Sequence, residues 1–168
     1  RALPTEGTLM MVASLAHRLL HRVRLCVGLA PADVLPYLIE VGWKDRSRVA
    51  DLLGRIEAAA WPVIPVQIDV DPDGIGDRVS FEFYARAPIE ADARWDRLLG
   101  YLVESRLCAP GWPPNLRAWS DASRPTPANP ECPTSIRSEL DVKISAGPGG
   151  PALAKAYLGF WPQLRLLW

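Results

Sequence analysis

The sequence predicts an α+β fold in which helices cover one face of an antiparallel sheet of about five strands. Three observations lead there. Two pairs of runs that alternate apolar and polar residues are each joined by turn-forming residues. Apolar stripes at helical spacing lie between them. Little room is left for the crossover helices that parallel strands require.

Taken in chain order, Leu9, Val12, Leu15, Ala16, Leu19 and Leu20 follow Thr5 and Glu6 at helical spacing, which predicts a capped helix from Thr8 onward. VRLCVGL over 23–29 alternates and stops before Pro31, as a half-buried strand does. Two short helices come next. One runs over 32–41 behind Pro31 and ends at Gly42; the other opens at Asp45 and carries Val49, Leu52, Leu53 and Ile56. VIPVQIDVD, PDGIGD and RVSFEFYAR, over 63–86, form a β-hairpin in which Pro, Asp and Gly supply the turn. Trp95, Leu98, Leu99 and Leu102 mark a helix with a core-facing stripe, ending near Leu107. The Pro-rich stretch 109–135 is ordered only over Trp112 to Trp119 and then becomes a loop. ELDVKIS, AGPGGP and ALAKAYLGF make a second hairpin.

The 168 residues suit a single domain, and a composition 49% apolar and 23% charged is that of a chain that buries a core. Because the chain starts at Arg1 and not at methionine, it is expected to be part of a longer protein. Nineteen basic residues balance nineteen acidic ones, so no overall field draws the chain onto nucleic acid or anionic lipid. No apolar run approaches the roughly eighteen residues of a membrane span. Cys26, Cys108 and Cys132 are scattered and belong to no metal-ligand pattern, a usage that points to the reducing cytoplasm. His17 and His21 share a helical spacing but have no neighbouring acidic or cysteine partner, so neither a metal nor a cofactor is expected. The glycine-rich turns join strand to strand, unlike phosphate loops, which lead into a helix.

Alternation in the hairpins divides their residues between two faces. One face takes Val66, Ile68, Val70, Val79, Phe81, Phe83, Leu140, Val142 and Ile144. The other collects Gln67, Asp69, Ser80, Glu82, Tyr84, Asp141 and Lys143, with Lys155 and Tyr157 from the last strand. Two readings of this polar face are open. In one, the lysines hold a phosphate or carboxylate while the tyrosines wall off the charge. In the other it is an ordinary solvated face carrying cross-strand ion pairs.

The final hairpin, LDVKISAGPGGPALAKAYLGFWP, with its Lys155-Ala156-Tyr157 run, resembles ABBA-type aromatic prenyltransferases, the dimethylallyltryptophan synthase group. The resemblance implies a partial antiparallel barrel. It also implies that Lys143 and Lys155 contact an allylic diphosphate, that Tyr157 shields a carbocation, and that Glu82 orients an aromatic acceptor as the catalytic group, with Tyr84 a further ligand-binding residue on the same face. With too few strands to close, such a half barrel would need further sequence or a second subunit. The chain also resembles uncharacterised bacterial proteins that accompany peptide natural-product pathways, which implies an accessory or peptide-binding role. A module in which an exposed sheet edge or the Pro-rich loop captures a peptide by strand addition, or a fragment with no activity of its own, therefore stands beside the enzyme reading.

Overall fold

A computed structural model describes residues 3–15, 22–85, 89, 92–120, 124–125, 134–147 and 152–164. The strands are β1 Thr8–Ser14, β2 Val23–Leu29, β3 Ile64–Asp71, β4 Gly74–Ala85, β5 Arg124–Pro125, β6 Thr134–Ala146 and β7 Leu153–Leu164. The helices are α1 Pro31–Glu40, α2 Arg46–Arg55, α3 Ala93–Glu104 and α4 Trp112–Ser120. The fold is α+β. The strand order is β1-β2-β3-β4-β6-β5, with β7 paired to β6, so among the described residues the sheet has ends and does not close into a barrel. Within the chain read above as one domain, contacts distinguish two compact units. One is residues 1–83 with 143–154, and the other is residues 84–142 with 155–168.

The first unit follows local rules closely. Pro31 starts α1, where its missing N–H costs nothing. Gly42, at φ +94°, ends the helix in a left-handed cap that brings the Trp43 N–H to the Leu38 carbonyl at 2.7 Å. The Asp45 carboxylate caps α2 by accepting from the Arg48 N–H. The β3–β4 turn uses Gly74 at φ +124°, a conformation that a Cβ would strain. β2, β3 and β4 pair antiparallel, with Val27 opposite Val66 and Val66 opposite Phe81. Those residues are buried together with Leu29, Ile64 and Val79, and α1 packs on β2 and β3 with Val34 and Leu38 buried. Each such side chain contributes about 1.5–3 kcal/mol by leaving water. Trp61 adds an edge-to-face contact with Phe83, ring centroids 4.8 Å apart.

In the second unit Asp92 caps α3, and Trp95, Leu98, Leu99 and Leu102 form its buried stripe. Leu107 donates to the Leu102 carbonyl across Arg106, a non-glycine residue held at φ +56°. α4 admits Pro113 and Pro114 because both fall in its first turn. The Trp119 indole N–H donates to the Glu139 carbonyl at 3.1 Å.

The segment from Thr8 is a strand and not the predicted helix. Its register explains the misreading. Leu9 stands opposite Val27 and Val12 opposite Leu25, with a bulge between Leu9 and Met11. The extra residue places two side chains three positions apart on one sheet face, imitating a helical stripe. β1 and the short β5 raise the strand count above the five expected. The rest of the predicted first helix, including His17 and His21, lies outside the described residues, as does Cys132.

Candidate functional site

The polar face of the first unit is assembled from four strands. β2 supplies Arg24 and Cys26, β3 supplies Gln67 and Asp69, β4 supplies Ser80 and Glu82, and β6 supplies Lys143 and Ser145. Register aligns Cys26 with Gln67 and Gln67 with Ser80. The Ser80 and Ser145 hydroxyls share a hydrogen bond of 2.8 Å. Arg24 makes a two-pronged pair with Asp69, at 2.7 and 2.9 Å. The Lys143 ammonium donates to the Gln67 side-chain oxygen and lies 3.4 Å from a Glu82 carboxylate oxygen.

This face is not the solvated surface of the plainer expectation. Gln67 is 6% exposed, Ser80 6% and Lys143 8%. Burial pulls the Lys143 ammonium below its usual range, Glu82 opposes that shift, and Arg24 adds to it. Burial pushes the Cys26 thiol up, Glu82 pushes it further, and so this cysteine is a poor nucleophile. Two cations, Arg24 and Lys143, meet two carboxylates, Asp69 and Glu82. The cluster is thus balanced in charge, and each ionic group has a partner at hydrogen-bond or ion-pair distance. It has no surplus positive charge with which to hold a phosphate.

Of the residues predicted for the site, Lys143 and Glu82 come together. Tyr84, half-buried on β4, belongs to the second unit, as do Lys155 and Tyr157 on β7, both exposed. Among the described residues no group of three or more His, Cys, Asp or Glu is placed to hold a metal. No described helix is long and apolar enough to cross a membrane. A cleft lined by Trp43, Lys44, Asp45, Ile75, Gly76 and Asp77 carries charges of both signs and no cluster of buried polar groups.

Sequence reasoning missed β1 as a surface. It stands at one end of the strand order, and among the described residues its pairing partner is β2 alone. Its apolar side chains are open to water, with Leu9 51% exposed, Met10 47%, Met11 42% and Val12 58%. Leu9 and Val12 share the face of Val27 and Leu25. Met11 stands opposite Cys26, and the Met10 sulfur lies over Gly28, on the other face. TLMMVAS contains no charge and no proline, the residues that commonly protect an exposed edge. That absence was the available signal, hidden by the helix propensity of Leu, Met and Ala.

No protein-family model, curated protein or solved structure matches the chain.

Proposed function

We propose that the chain is a noncatalytic binding module that captures an extended peptide segment by strand addition along β1. The observation that carries this reading is the exposed outer edge of β1, with apolar side chains on both faces and no charge along its length. Backbone N–H and C=O groups of an edge strand supply affinity, and alternate side chains supply selectivity. An uncharged, β-prone segment with apolar residues at successive positions fits those faces. The test is fluorescence anisotropy with a labelled peptide of that kind, compared with a copy N-methylated at alternate amides to remove the ladder donors. Saturable binding abolished by methylation is expected. No binding, or binding indifferent to methylation, contradicts the reading.

The allylic-diphosphate reading draws its support from Lys143 on the polar face. It is the weaker reading, because Lys143 is already engaged by Gln67 and Glu82. Titration with dimethylallyl diphosphate, with Lys143→Ala as control, would restore it if saturable binding appeared and the control lost it.

A further inference from the structure

We infer that the segment paired along β1 is β1 of a second copy of this chain, forming a two-fold antiparallel dimer; this rests on the strand-addition reading and names its partner. Side-chain placement carries the inference. A two-fold axis perpendicular to the sheet keeps corresponding faces of the two copies on the same side. Centred between Met10 and Met11, such pairing sets Leu9 of one copy against Val12 of the other, and Met10 against Met11. The bulge puts Leu9 and Val12 on one face and Met10 and Met11 on the opposite one. The two central kinds of pair in this register, Leu9 with Val12 and Met10 with Met11, therefore match apolar with apolar on a common face, the arrangement that stabilises a ladder, and Thr8 meets the small Ala13 beside them.

Charge supports the same partner. Self-pairing of a strand opposes like charges wherever a charged residue meets its own counterpart, and natural edges use this to prevent association. β1 has no charged residue, and in this register Glu6 falls opposite Leu15 and not opposite Glu6. Nineteen basic and nineteen acidic residues also leave the two copies without net repulsion. Apolar side chains are exposed on both faces of β1, so a partner must supply apolar neighbours on both faces, and a second β1 does so in a single register.

Sedimentation velocity of the chain over a wide concentration range tests the proposal. A reversible monomer–dimer equilibrium is expected, with a dissociation constant raised by more than about tenfold in Met11→Lys, which brings a charge into the pairing. Met11 is exposed, so the variant keeps its circular dichroism spectrum, and its melting temperature matches wild type at dilutions where both are monomeric. A second readout needs no variant: a peptide spanning Thr8–Ser14 dissociates the dimer of the unaltered chain. A monomer at every concentration overturns the proposal, as does a dimer unaffected by both Met11→Lys and the peptide, or open-ended growth into larger species. A monomer that still binds the extended peptide in a methylation-sensitive way refutes the dimer alone. A monomer that binds no peptide refutes both readings.

Discussion

β3 and β1 belong to one sheet and invert the usual relation between residue type and water. β3 has a neighbour on each side, and its polar Gln67 is buried, while the apolar Leu9, Met10, Met11 and Val12 of β1 are exposed. In the middle of the sheet, polar and charged groups are consumed in holding strands together: Arg24 by Asp69, Lys143 by Gln67 and Glu82. At the edge, apolar groups stay open to water, and among the described residues no strand lies along the outer side of β1. The titratable cluster that first draws attention to chemistry is thus the settled part of the molecule, and the uncharged strand is the unsettled part.

The largest expected effect breaks the central cluster. Lys143→Met leaves the Glu82 carboxylate buried without its cation and should cost about 3 kcal/mol in urea unfolding, whereas Lys143→Met with Glu82→Leu should recover most of that loss. Recovery would show that the pair makes little net contribution to stability; continued loss would show that it is a stabilising device. The same residue sets a pH dependence. Burial lowers its folded-state value, so the unfolded chain binds the proton more tightly. The Lys143 contribution to stability is therefore poorest below the lowered folded value and improves as pH rises from there towards the ordinary 10.5. Wild type should gain on Lys143→Met across that alkaline window, and a flat difference would contradict the burial argument.

A paired truncation sharpens the contrast between centre and edge. Ile64→Ala, at a fully buried β3 position, should cost about 2–5 kcal/mol. Leu9→Ala on β1 should stay within about 0.5 kcal/mol when measured at dilutions that keep the chain monomeric. Comparable losses would mean that β1 is not an open edge. The smallest effect lies at the end of α3, where Arg106→Gly should raise stability by about 0.5–1 kcal/mol by relieving the left-handed cap at φ +56°.

Much of this architecture is legible in local sequence. Alternation gives β2 its bounds, Pro31 and Gly42 bracket α1, Asp45 caps α2, and Pro72-Asp73-Gly74 turns the first hairpin. The polar face is legible as a set of side chains because alternation alone sorts them. Its burial is not, since whether a face meets water depends on what covers it. Nor is the meeting of Lys143 with Gln67, which needs β6 beside β4, strands separated in sequence by α3, α4 and β5. β1 was hidden for a different reason: its bulge gives a strand the three-residue spacing of a helix, and Leu, Met and Ala favour helices when nothing else decides.

Hydrogen–deuterium exchange of β1 amides at increasing chain concentration reads directly whether the outer side of β1 is an open edge that a second strand covers. β1 amides directed away from β2 are expected to exchange rapidly in dilute solution and to become protected on concentration, while β3 amides stay unchanged. Rapid exchange at β1 that is independent of concentration, and unaltered by a saturating extended peptide, would contradict that expectation.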